Sequence, residues 1–225
     1  MDWHFYKKFL YPADDPLSSL THFLSFCLSI VGLILLIIYA ARHGTVWHLV
    51  GFSIFGTSLM LMYLVSSLYH FLPLDHRAKK IMRRVDHAMI YVLIAGTYTP
   101  LCFLITNKVL GWSIFSLIWG IAIVGIVLKA SGKMLDNWRS LFYYLLMGWL
   151  AVVVLFPLAQ LVPLAGLLWL FAGGVFYSLG TIFYGAHEIY KFNTRWFSYH
   201  AIFHLFVMAG SFCHFWLMFK YIVYA

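Results

Sequence analysis

Charge is what this chain has least of. Only 10% of its 225 residues are Asp, Glu, Lys or Arg, and just 7 are acidic. A water-soluble domain of this length needs a charged outer surface, and this composition cannot supply one. Cysteine is scarce as well. Cys27, Cys102 and Cys213 lie within apolar runs and show no paired spacing, which argues against a disulfide framework or thiolate ligands and for inert core thiols. No internal repeat is visible. A cleavable leader is not expected, because the first apolar run starts late, is too long and lacks a small-x-small cleavage site. What is abundant is apolar surface: 64% of residues are hydrophobic and the mean hydropathy is +0.89. These values describe an integral membrane protein.

A helix needs about 20 mostly apolar residues to cross a bilayer. Charge-free stretches run from Asp15 to Arg42, Arg42 to Asp75, Asp86 to Lys108, Lys108 to Lys129 and Arg195 to Lys220. The stretch from Arg139 to Glu188 holds two more, with Pro157, Pro163 and Gly166 at the turn between them. The predicted fold is an all-α bundle of seven transmembrane helices within one domain, residues 18–225, with spans near 18–40, 46–72, 86–106, 110–130, 139–158, 163–186 and 196–221. Residues 1–17 read as an interfacial segment, with Trp3, Phe5, Tyr6, Phe9 and Tyr11 around Lys7 and Lys8.

The net charge of +8 does not point to nucleic acid, because the basic residues follow the loops. With a cytoplasmic N-terminus, only Arg42, Lys108 and Lys220 of the 15 Lys+Arg lie outside, so the positive-inside rule predicts N-terminus in and C-terminus out. The connection 73–85 is the most basic segment and reads as a topology anchor against anionic lipid. Pro100, mid-span after Thr97, Tyr98 and Thr99, is expected to kink the third helix. Gly173, Gly174, Ser178 and Gly180 read as helix packing.

In alternating spans, His70, Asp86, His200 and His204 fall at similar depth on one membrane face. Polar groups are costly there and usually functional. His200 and His204 stand one helical turn apart, so both rings leave the same helix face and can share one ion. His70 is the natural third ligand, and a site with three protein ligands keeps a fourth position for water. Asp86, placed in the first turn of its span, either ligates the metal or holds the water as general base. Ser66, one turn deeper than His70 on the same face, would orient water or substrate. His4, His43, His48, His76, His187 and His214 read as interfacial or packing residues, and His214 should lie well over two turns deeper than His204. Three histidines without a redox partner suit zinc among the imidazole-binding metals.

Ser66-Ser67-Leu68-Tyr69-His70, Asp86 and His200-Ala201-Ile202-Phe203-His204 form a Ser-x-x-x-His, Asp, His-x-x-x-His pattern. It resembles that of the hemolysin III proteins, which belong with the progestin and adipoQ receptors and more distantly with the alkaline ceramidases. Ser18-Ser19-Leu20-Thr21-His22 is similar to the segment opening the family's first helix, and Asp86-His87 with Ala95-Gly96-Thr97-Tyr98-Thr99-Pro100 is similar to its third-helix motif. Ser18 stands where Asn is usual, and Asp14-Asp15 where Glu is common. The small size resembles the bacterial branch. The resemblance implies zinc on His70, His200 and His204, with Asp86 and Ser66 beside its water; His22, on the first helix near the same face, reads equally as a group supporting the site or as a packing residue. It also implies hydrolysis of a lipid amide.

The leading expectation is therefore a zinc-dependent hydrolase of the inner (plasma) membrane, cutting an acyl or amide bond of a ceramide-like or other membrane lipid at the cytoplasmic side. One alternative is a non-enzymatic receptor or homeostasis regulator with a structural zinc. Another is a cytolysin, as the family name implies, although a secreted toxin must be soluble before it inserts.

Overall fold

The computed structural model describes residues 16–72, 75–133, 137–190 and 198–225. The predicted interfacial segment lies outside them except for Pro16 and Leu17, which begin a helix. The helices are α1 Pro16–His43, α2 Val46–Phe71, α3 His76–Leu104, α4 Lys108–Ala130, α5 Asn137–Trp149, α6 Ala151–Leu158, α7 Leu164–Tyr190 and α8 Tyr199–Lys220, followed by one 3-10 turn, Ile222–Tyr224. Among the described residues, seven helices are long and apolar enough to cross a membrane, α5 and α6 together making the fifth. The apolar runs and the turn at Pro163 are where the sequence puts them.

Polar side chains set the helix starts. Asp75 accepts from the Ala78 amide at 2.8 Å, Asn107 from Leu110 at 3.1 Å and Ser198 from Ala201 at 3.0 Å. His48 caps α2: the Thr45 amide donates to its Nδ1 at 3.0 Å, so Nε2 carries the hydrogen and reaches the Ile222 carbonyl at 3.0 Å. Consecutive helices pack against one another from α1 to α4, α7 packs on α8, and α8 returns to α1 to close the bundle. The strongest span window of α3 is 67% buried and that of the fifth span only 17%, so α3 is central and the fifth span faces lipid.

One expectation needs correction. The third span starts ten residues early, because Asp75 caps a run of good helix formers that continues straight into the apolar stretch. Residues 76–85 are thus helix rather than connection, and Lys79 turns back to donate to the Tyr69 carbonyl at the end of α2 at 2.7 Å. Asp86 accordingly stands nearly three turns into α3. Around Pro100, α3 stays helical on both sides, and Pro100 packs directly on Gly51 of α2; a Cβ there would lie 2.8 Å from the Pro100 Cα.

The break falls instead in the neighbouring span. Tyr98 of α3 pushes its hydroxyl into the fifth span, donating to the Met147 and Gly148 carbonyls at 2.7 and 2.8 Å. It also accepts from the Ala151 amide. Ala151 would otherwise bond Met147, four residues back, so the hydroxyl takes the place of one rung of the helix ladder. A side chain inserted in this way interrupts a helix, and α5 ends at Trp149.

Candidate metal centre

His70 sits in the last turn of α2, and His200 and His204 in the first two turns of α8. Their ring nitrogens converge: His200 Nε2 lies 3.2 Å from His70 Nε2 and 3.1 Å from His204 Nε2. One nitrogen from each of the three residues lies within 4.8 Å of the other two. His70 and His204 are buried, and His200 is partly open. Residue type, helix period and matched depth were sufficient to foresee this cluster.

The donor set fits a metal. Two nitrogens bound to one tetrahedral zinc at about 2.0–2.1 Å stand about 3.3 Å apart, close to the spacings found here. His204 Nδ1 is 3.2 Å from the Ser18 carbonyl. A carbonyl only accepts, so Nδ1 bears the hydrogen and the Nε2 lone pair points to the cluster, as outer-shell bonds do in metal sites. Ser18 is held in turn at the start of α1, where Ser19 and Ser67 exchange hydroxyl-to-carbonyl bonds at 3.2 and 3.1 Å and lock α1 to α2.

Asp86 is buried and accepts a hydrogen bond from Ser66. The carboxylate is not part of the converging histidine group, but it lines the same cavity as His200 and His204. That cavity encloses ≈ 1510 Å³ of empty space including its open part, and its walls are almost wholly apolar, drawn mainly from α3, the fifth span, α7 and α8. Gly174 and Ser178, read from the sequence as packing residues, line it too, while Gly173 and Gly180 do pack against α8.

Two further histidines belong here. His22 stacks flat on His204, with ring centroids 3.6 Å apart and planes within 9°. It is buried, and neither of its nitrogens has a partner among the described residues. His87 lies beside Asp86 on the cavity wall, with the Lys129 ammonium 3.4 Å from its Nδ1 and Tyr144 donating to its carbonyl at 2.8 Å. An ammonium only donates, so the free hydrogen of His87 is on Nε2. The Asp86-His87 pair was the sequence signal for His87, whereas nothing in the spacing marks Lys129 as buried at the end of α4.

The chain is similar to known proteins over most of its length. A family model described as "Haemolysin-III related" matches residues 11–215. The "Hemolysin-3 homolog" of Bacillus subtilis (strain 168) is 41% identical over 210 residues, covering 93% of this chain and 95% of the relative. "Hemolysin-3" of Bacillus cereus is 39% identical over 211 residues, covering 93% and 92%. The human "Monocyte to macrophage differentiation factor" is 28% identical over 183 residues, covering 78% and 72%. A multi-pass membrane chain with three converging histidines and this extent of similarity belongs to the haemolysin-III related family.

Proposed function

We propose that the protein is a zinc-dependent hydrolase that cleaves an acyl or amide bond of a membrane lipid, with the N-terminus cytoplasmic and the histidine cluster on the cytoplasmic side of the plasma membrane. One observation carries this reading: His200 and His204 of the histidine cluster line one large apolar cavity together with the Asp86–Ser66 pair. A purely structural metal site has no use for that cavity, and a lipid chain does.

A zinc ion held by His70, His200 and His204 would supply Lewis-acid polarisation of a carbonyl and an acidified water. The rest falls to the chain's own groups. Asp86 takes the proton from the attacking water and returns it to the leaving amine or alkoxide. Ser66 fixes the carboxylate for that exchange. The apolar walls hold the acyl chain in line and keep bulk water away. The fifth span packs sparsely on α3 and α7, so a lipid enters sideways from the bilayer between them. The basic end of the bundle, with Arg77, Lys80, Arg83 and Arg84 on α3, faces the cytoplasm.

The test is elemental analysis of detergent-purified wild type and His200→Ala, followed by turnover of ceramide and of diacyl lipids. About one zinc per wild-type chain, lost in the variant together with fatty-acid release, is the expected outcome. Full zinc with no release from either substrate class would remove the hydrolase reading.

A further inference from the structure

The cavity has a second polar pole. His204 and His214 both line it, ten residues apart on α8, which is about 15 Å along a helix. Leu93, Phe203 and Val207 are among the apolar groups lining the same cavity.

At the deep pole the hydrogen-bond account does not balance. His214 Nε2 lies 3.3 Å from the Leu170 carbonyl, so Nε2 carries the hydrogen and Nδ1 is an acceptor. That Nδ1 is buried and has no partner among the described residues. Beside it, Tyr63 donates to Ser211 at 2.7 Å, and Ser211 pairs with Tyr177 at 2.8 Å. These three hydroxyls own three hydrogens and make two bonds. Either oxygen can donate between Ser211 and Tyr177; in the arrangement where Ser211 donates, the spare hydrogen is on Tyr177, which lines the cavity. The Tyr177 and His214 rings are neighbours, their centroids 5.5 Å apart. Glycines on the α7–α8 seam seat both rings: a Cβ on Gly173 would run into His214, and one on Gly210 would stand 3.0 Å from the Tyr177 ring. A buried acceptor without a partner is costly, and in that arrangement a spare donor stands on the neighbouring ring.

A ligand hydroxyl satisfies both groups at once, accepting from Tyr177 and donating to His214 Nδ1. A carbonyl meets only the donor, and a methylene meets neither. We propose that this pole is a hydroxyl subsite and that the preferred lipid carries a hydroxylated acyl chain. This rests on the reading that the acyl carbonyl sits at the histidine cluster. Carbon–carbon bonds of about 1.5 Å advance an extended chain by about 1.25 Å each, which puts the hydroxyl about 12 carbons along.

The experiment compares binding of 12-hydroxystearate, 2-hydroxystearate and stearate to the zinc-loaded protein in detergent, for wild type, Tyr177→Phe and His214→Leu. A hydroxyl entering a plain apolar cavity weakens binding, so the sign of the effect is diagnostic. The expected result is roughly tenfold tighter binding of 12-hydroxystearate than of stearate. The 2-hydroxy isomer should gain nothing. Both variants should lose the preference for 12-hydroxystearate over stearate, and Tyr177→Phe keeps the ring, so it tests the point even if His214→Leu fails to fold. Equal or weaker binding of 12-hydroxystearate by the wild type, or a preference that survives Tyr177→Phe, overturns the subsite and leaves the hydrolase reading standing. If none of the three acids binds, the lipid reading of the cavity falls and the subsite with it.

Discussion

On the proposed reading, Asp86 and the three histidines divide the work at the centre, and a single substitution tests that division. Asp86→Asn keeps the shape and the Ser66 contact but removes the base. The expected result is unchanged zinc content with turnover lowered about 10²- to 10⁴-fold, the usual worth of a positioned proton carrier. Elemental analysis beside a fatty-acid release assay checks both halves, and a receptor with a structural zinc would show no loss in its cellular response. Ligand residues of this kind are legible in sequence because imidazole chemistry, a four-residue spacing and matched depth in charge-free runs leave few alternatives for His70, His200 and His204. His22 is legible only as one of two readings, a supporting group or a packing residue, and His214 only as a packing residue. Their roles depend on which way α1 turns toward His204 and on which ring Gly173 admits, and neither follows from spacing.

At the level of the helix, Tyr98 shows how one span shapes another. Its hydroxyl replaces a backbone bond between Met147 and Ala151, so Tyr98→Phe should let α5 and α6 fuse into one continuous helix. The Ala151 amide then gains a direct carbonyl partner, and its hydrogen exchange should slow markedly; unchanged exchange there would refute the insertion account. The straightened span should also narrow the lipid path beside Trp149, whose indole bonds Ser178 of α7 at 3.1 Å. The existence of this span was readable from the charge-free run after Arg139. Its break was not, because the group responsible lies about 50 residues upstream on a different helix. The early start of α3 was missed for another reason: a run of basic residues looks like a loop until Asp75 is recognised as its cap.

For the whole molecule, the lopsided distribution of Lys and Arg predicts orientation. In a background with Cys27, Cys102 and Cys213 replaced by Ser, Lys133→Cys should react with a membrane-impermeant maleimide only in inside-out vesicles, and Lys108→Cys only in intact cells. The reverse pattern would place the histidine cluster on the outer face and rule out a cytoplasmic site. The bundle also has an order of assembly written into it. His70 and the Ser18 carbonyl belong to α2 and α1, whereas His200 and His204 belong to α8, 130 residues after His70. A chain halted anywhere before α8 owns a single ligating ring and cannot gather the other two. On the proposed ligand set, metal capture would therefore wait for synthesis through α8, and a ribosome that stops before it leaves the centre unassembled.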